Sequence, residues 1–214
     1  MTPAYIAIEG PIGVGKTTLT QFFRDELGAA TVLDEFDNPF LADFYKEQPG
    51  AAFRAQMYFL VSRFQQQLAL QSSRSENALL VCDYLFAKDK IFAYLTLDDS
   101  EILIYDRYFA ALSPFIQRPD LVVYLQAPRE VLLERVQRRN VDFESKISEA
   151  YVDELIQAYD HFFYHYDETP LLIVNTAEID FVESSGDRKA LLLRITGGAV
   201  RGIEYYHPVR KRRK

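Results

Sequence analysis

The sequence predicts an α/β fold: a three-layer arrangement with a five-stranded parallel sheet between helices. Short apolar runs alternate with longer stretches of helical periodicity, the pattern of strand–helix repeats that builds a parallel sheet covered by helices. Four of the five apolar runs end on a polar or charged residue, and ligands of open α/β sheets gather beyond the carboxyl ends of strands. The chain has 214 residues, 49% hydrophobic and 26% charged, enough for a full core.

The first candidate strand, residues 5–8, runs into Gly10-Pro11-Ile12-Gly13-Val14-Gly15-Lys16-Thr17, which fits G-x-x-x-x-G-K-[ST] at each fixed position. Thr18-Leu19-Thr20-Gln21-Phe22-Phe23 then opens a helix. Strand, glycine loop and helix together make a phosphate-binding P-loop. The glycines let successive N–H groups turn toward an anion, and the helix N-terminus adds a positive dipole end. Gly10, Gly13, Val14, Gly15, Lys16, Thr17 and Thr18 are therefore candidate contacts to the triphosphate of ATP. Lys16 is placed to reach the β/γ-phosphates, and the Thr17 hydroxyl to ligate Mg²⁺.

The remaining candidate strands are residues 31–33, 78–81, 121–125 and 171–174. After the second comes Asp34-Glu35, with Glu35 nineteen residues beyond Lys16. Spacing alone leaves two readings of Glu35: an ordinary surface acid beside Asp34 and Asp37, or the carboxylate that takes the proton from an attacking hydroxyl in phosphoryl transfer. Asp83 closes the third strand, as a Mg²⁺ partner or as a strand-end cap. A helical stripe over 51–71 places Phe53, Met57, Leu60, Val61, Phe64 and Leu68 on one face, as core or as subunit contact. Arg135, Arg138 and Arg139 fall at the end of another helix. Arginines there either suit the helix dipole or arrive over the phosphates as a lid closes, and Arg138 is the one that also reads as solvent-facing. A second long helix covers 148–166.

Composition excludes several classes. The net charge is −7 although the last five residues are all basic, so the body is strongly acidic and nucleic acid is not expected as main partner. No apolar run reaches the ~18–20 residues of a membrane span. Cys82 is the only cysteine, which fits a reducing cytoplasm, and the early first strand is read as leaving no room for a signal peptide. The organisation expected is one domain over 1–204 and a basic tail over 205–214, dangling in solvent.

These residues together resemble the deoxynucleoside kinase family, from Ala4 to about Val182. E-G-P-I-G-V-G-K-T-T-L is similar to that family's P-loop, and Glu35 falls where its catalytic base lies. L-A-D-F-Y-K-E-Q-P-G-A-A-F-R-A-Q-M-Y resembles its substrate segment, which implies Tyr45 on the sugar 3′-hydroxyl and Gln56 on the base. Arg63 matches a base-reading arginine. Arg135 and Arg139 match lid arginines that stabilise the transferring phosphoryl, and Glu144 a sugar-contacting acid. I-V-N-T-A-E-I-D-F-V resembles the adenine-holding loop, around Ile179, Asp180 and Phe181.

Two positions depart from the family pattern. Where E-R-S or D-R-S follows the third strand, this chain has Asp83-Tyr84-Leu85, so Tyr84 replaces an arginine that braces the catalytic acid and phosphates; Lys88 or Lys90 are candidate substitutes, and Arg107 is not favoured. Val141 stands where another lid arginine is common. Asp89, six residues after Asp83, lies at the offset of the family's base-facing aspartate, and is otherwise a solvated loop acid.

The resemblance implies a homodimeric nucleotide-salvage enzyme that phosphorylates the 5′-hydroxyl of a deoxynucleoside with ATP and Mg²⁺, preferring purines or deoxycytidine to thymidine. The alternatives are a thymidylate-type monophosphate kinase, a GTPase-type switch and a catalytically silent nucleotide-binding module. The first would need positive charge for an acceptor phosphate, and Glu35, Tyr45 and Gln56 suit a neutral hydroxyl better. For the switch, neither N-K-x-D nor a strand-end D-x-x-G is present.

Overall fold

The computed structural model describes residues 3–34, 37–73, 79–139, 148–181, 184–198 and 200–208. Chain contacts group them into two compact units. One comprises Met1–Leu33, Asn77–Tyr84 and Pro119–Lys214; the other comprises Asp34–Glu76 and Leu85–Arg118.

The first unit is built on a parallel sheet. Its strands are β1 (Tyr5–Glu9), β2 (Ala30–Val32), β3 (Leu80–Cys82), β4 (Leu121–Gln126), β5 (Leu171–Asn175) and β6 (Ile203–Tyr206), in the order β2-β3-β1-β4-β5-β6. The sheet thus has six strands, where the sequence suggested five. The sixth was hidden because Ile203-Glu204-Tyr205-Tyr206 alternates exposed and half-buried positions at a sheet edge, with no continuous apolar run to announce it. It also carries regular structure two residues into the stretch read as a basic tail. Residues 209–214 lie outside the described residues.

The inner strands are buried on both faces, as in the LVVYL of β4, which is why each reads as a continuous apolar run. Helices α1 (Lys16–Leu27), α6 (Arg129–Arg139), α7 (Glu149–Tyr164) and α8 (Ser185–Thr196) complete this unit, with α1 packed on α8 and α6 on α7. Tyr124 of β4 stacks on Phe163 of α7 with centroids 4.1 Å apart. Strand β1 has β3 on one side and β4 on the other, so the chain changes direction across the sheet at the strand that feeds the glycine loop.

The second unit is helical. Helices α2 (Leu41–Phe44), α4 (Asp89–Thr96) and α5 (Asp99–Leu112) pack against the long α3 (Ala51–Ser73). Leu60 sits in the centre of that unit's core with Phe86, Tyr105 and Phe109, and Phe53, Met57 and Phe64 pack against it. Most of the α3 stripe is therefore core. Val61 and Leu68 instead face outward, 42% and 39% exposed. Asp98 starts α5 through a capping box, accepting from the Ser100 and Glu101 N–H groups while Glu101 accepts from Asp98.

Candidate active site

In the first unit, the turn from β1 to α1 rests on glycine geometry at two points. Gly10 passes so close to β4 that a Cβ would lie 2.4 Å from the Leu125 carbonyl oxygen. Gly15 caps α1 in a left-handed conformation (φ 103°), and a Cβ there would meet the Phe181 ring at 2.6 Å. With glycine as N-cap, no side chain covers the opening of α1, whose first-turn N–H groups can face an anion. Lys16 curls back over the loop and donates through Nζ to the carbonyl oxygens of Gly10 (2.6 Å) and Pro11 (3.3 Å).

Thr17 Oγ1 donates to Asp83 Oδ2 at 2.7 Å, so the two residues expected at Mg²⁺ lie side by side. Asp83 is held at the end of β3, its N–H donating to the Val32 carbonyl. No cluster of three or more His, Cys, Asp or Glu suited to a metal occurs among the described residues. One hydroxyl and one carboxylate are the donor set that suits Mg²⁺, which takes few protein ligands and completes its octahedron with water and phosphate oxygens. The residues present fit the ion.

The loop is fastened from beneath. Glu9, fully buried, accepts through Oε1 from the Gly10 N–H and the Tyr159 hydroxyl, both at 2.9 Å, which ties α7 to the first turn of the loop.

Arg135 occupies an unexpected place. Its Nη1 donates to the Val14 carbonyl (3.3 Å) and Thr176 Oγ1 (3.1 Å), and its Nη2 to the carbonyls of Thr176 (3.1 Å) and Ile179 (3.2 Å). The guanidinium also lies 6.0 Å from the Phe181 ring centroid. Burial lowers its pKa, with the Asp180 carboxylate opposing. Here Arg135 ties the P-loop to the loop after β5, where the sequence placed it over the transferring phosphoryl. Arg138 pairs with Glu134 at 2.6 Å on the exposed face of α6, in line with its solvent-facing reading. Phe181, expected against adenine, is a core side chain stacked under Gly15, and Ile179 is likewise buried. Asp180 donates its N–H to Asp187 Oδ2 at 3.2 Å. Glu35, Val141, Glu144 and the Arg139 side chain lie outside what the structure describes.

The second unit concentrates buried charge. Arg63 of α3 grips Asp34 through a fork, Nε to Oδ1 at 2.9 Å and Nη2 to Oδ2 at 3.0 Å, while its Nη1 donates to Asp89 Oδ1. The ring of Phe59 lies 4.8 Å from the guanidinium carbon. Lys88 pairs with Asp34 Oδ2 at 2.5 Å, and Tyr105 donates its hydroxyl to Asp89 Oδ2 at 3.0 Å. Gln56, expected on the base, donates to the backbone carbonyl of Asp89 at 3.0 Å. All six polar side chains are buried.

Burial works against ionisation of Asp34, but Lys88 and Arg63 outweigh it and hold the carboxyl well below the usual carboxylate range. Asp89 goes the other way. Complete burial raises its pKa despite Arg63, Tyr105 and Gln56. Burial together with the Asp89 carboxylate pushes the Tyr105 hydroxyl far up, leaving it a donor at any working pH.

Of the two candidate substitutes for the motif arginine, Lys88 is buried against the residue that precedes Glu35, whereas Lys90 lies over the Phe109 ring at 4.7 Å. Tyr84 is fully buried. Tyr45 is 39% exposed and packs edge-on against Phe44. Asn38 fastens the segment after Glu35 to α3, donating to the Ala55 carbonyl at 2.9 Å.

Sequence reasoning gave no role of their own to Asp34, noted only as a strand-end acid beside Glu35, or to Tyr105. No local pattern signals that Asp34 is buried.

The family model for deoxynucleoside kinases matches residues 6–197. The chain is 38% identical to a deoxyadenosine kinase of Dictyostelium discoideum over 74% of its length and 66% of that relative's. It is 32% identical to a deoxyguanosine kinase of Bacillus subtilis over 74% of its length and 78% of the relative's. The fold is that of deoxyadenosine kinase from M. mycoides, solved with dCMP and dCDP bound: TM-score 0.77 at 24% identity, over 90% of this chain and 99% of that one. With a glycine loop that opens α1, a Thr17–Asp83 hydrogen bond at its start and a family match over nine-tenths of the chain, this chain belongs to the deoxynucleoside kinase family.

Proposed function

We propose that the chain transfers the γ-phosphoryl group of ATP to the 5′-hydroxyl of a deoxynucleoside, with purines or deoxycytidine preferred to thymidine. The observation that carries the base preference is the buried Arg63–Asp89 pair. It presents a donor and an acceptor together. Adenine, guanine and cytosine each offer an amino group to the carboxylate and a ring or carbonyl acceptor to the guanidinium. Thymine has no amino group and would turn a carbonyl oxygen toward Asp89. A buried polar pair rejects a base that leaves it unmatched. The relatives named deoxyadenosine and deoxyguanosine kinase support the purine side of this reading.

Lys16 and the loop amides hold the triphosphate. Thr17 and Asp83 would hold Mg²⁺, whose chemistry is to neutralise charge on the β- and γ-phosphate oxygens. Glu35 takes the 5′-hydroxyl proton, and Lys88 stands in for the motif arginine through its grip on Asp34. Arg139 carries charge stabilisation of the phosphoryl group, while Arg135 acts through the loops it joins. Tyr45 and Glu144 face the sugar, and Ile179, Asp180 and Phe181 border the adenine site. One kinase domain over 1–204, a cytoplasmic location and a homodimer complete the reading. The dimer is assigned to the outward-facing Tyr58, Val61 and Leu68 of α3 and Leu103 and Ile104 of α5, which are exposed in the single chain.

The test is initial-rate measurement with each of the four deoxynucleosides, ATP and Mg²⁺. The expected result is phosphorylation with thymidine poorest. Glu35→Gln should lower kcat by orders of magnitude while leaving nucleoside binding intact. Equal turnover of thymidine would overturn the base assignment, and near-normal kcat in Glu35→Gln would remove Glu35 from the mechanism.

A further inference from the structure

Four charged side chains meet in the second unit: Asp34, Arg63, Lys88 and Asp89, all buried, two of each sign. Stability alone is a weak reason for such a cluster. Desolvating ions costs about what their attraction returns, and apolar residues of similar volume usually serve stability as well or better. What a buried ion network supplies is fixed geometry. A guanidinium bound to one carboxylate through one nitrogen can still turn about that contact. Asp34 removes this freedom by taking the adjacent Nε–Nη2 edge with both oxygens. Phe59 lies over the guanidinium, and Tyr105 occupies the second oxygen of Asp89. Lys88 balances the additional negative charge that this fork requires.

We propose that Asp34 is a positioning residue for base selection, holding the Arg63–Asp89 pair in the one orientation that tells the preferred base from the others. The proposal rests on the reading of Arg63 and Asp89 as base-reading residues. Asp34 remains ionised across the working pH range, since Lys88 and Arg63 more than offset its burial, so the fork is permanent. The chain order adds a consequence: Asp34 immediately precedes Glu35, so the residue that aims the base reader is covalently joined to the proposed base.

The test uses the purified full chain and compares kcat/KM for all four deoxynucleosides in Asp34→Asn, Asp34→Glu and the double variant Asp34→Asn/Lys88→Gln. Asparagine keeps the shape but turns a donor toward a donor. Glutamate keeps the charge but shifts the fork by one methylene. The double variant restores the buried charge balance without the fork. The ratio of best to worst deoxynucleoside should fall by about tenfold in all three. The double variant should recover thermal stability lost in Asp34→Asn without recovering the ratio. A merely structural role would lower all four activities by one common factor and leave the ratio at its wild-type value; that result, or failure of all three variants to fold, overturns the proposal. Arg63→Met and Asp89→Asn separate the two levels. If these keep the wild-type ratio, the base-reading assignment itself is wrong; if they lose it while the Asp34 variants keep it, only the role of Asp34 is wrong.

Discussion

Replacing Arg135 by methionine separates a phosphate-stabilising arginine from one that ties loops together. Its four N–H···O bonds of 3.1–3.3 Å reach the P-loop at Val14 and the loop after β5 at Thr176 and Ile179. Each such bond contributes about 0.5–1.5 kcal/mol net. The side chain is only half-buried and the bonds are at the long end, so the four together stabilise by about 2–4 kcal/mol. For a chain of this size each kcal/mol moves Tm by about 2–4 °C, so Arg135→Met should lose about 5–15 °C. Methionine keeps the apolar stem beside Phe181, which limits the added packing loss. Thermal unfolding followed by circular dichroism, with kcat and KM for ATP, decides the matter. The expected pattern is a lower Tm and a raised KM for ATP, with Arg135→Lys close to Arg135→Met because lysine keeps the charge but not the two-pronged reach. An unchanged Tm with kcat reduced a hundredfold, rescued in part by lysine, would refute the reasoning and return Arg135 to the transferring phosphoryl group.

Thr17→Ala and Asp83→Asn should each raise the Mg²⁺ concentration for half-maximal activity by about tenfold, as each removes one of the two proposed ligands; activity titrated against Mg²⁺ would show this. Acid unfolding should report Asp34 and Asp89 with opposite signs. The depressed pKa of Asp34 contributes stability that is present above its ordinary value of 3.8 and lost as pH falls through the folded value, so Asp34→Asn should flatten the acid limb of urea midpoints against pH. Asp89, raised by burial, is most stabilising when protonated and loses that contribution as pH rises from 3.8 through its folded value, so Asp89→Asn should steepen the acid limb. Val61→Arg with Leu103→Arg should convert the proposed dimer to a monomer by light scattering, because both side chains are outward-facing and neither completes the core.

The parallel sheet was legible because inner strands buried on both faces read as unbroken apolar runs. The edge strand β6 was not, since half of it faces solvent and its register depends on pairing with β5 over a long sequence separation. Helix α5 was missed although Asp98 and Glu101 carry the spacing of a capping box; that signal is local and available to inspection. The α3 stripe shows the opposite limit. Helical periodicity placed six apolar residues on one face, but only packing against α4 and α5 sorted the core positions from the outward Val61 and Leu68.

The glycine loop, its lysine and its threonine follow from the sequence by itself, because phosphate binding there depends on backbone conformation and on residues a few positions apart. The partnership of Thr17 with Asp83 was anticipated from strand ends, which the sheet brings together in a regular way. The buried charge cluster depended on tertiary structure. Whether Asp34 turns inward, whether Lys88 or Lys90 meets it, and whether Arg135 points at a phosphate or at a carbonyl are questions of side-chain direction. Adjacent residues differ there by rotations that no local pattern encodes, and the answer comes from which opposite charges the packed helices bring within about 3 Å, since a buried charge is tolerable only when paired.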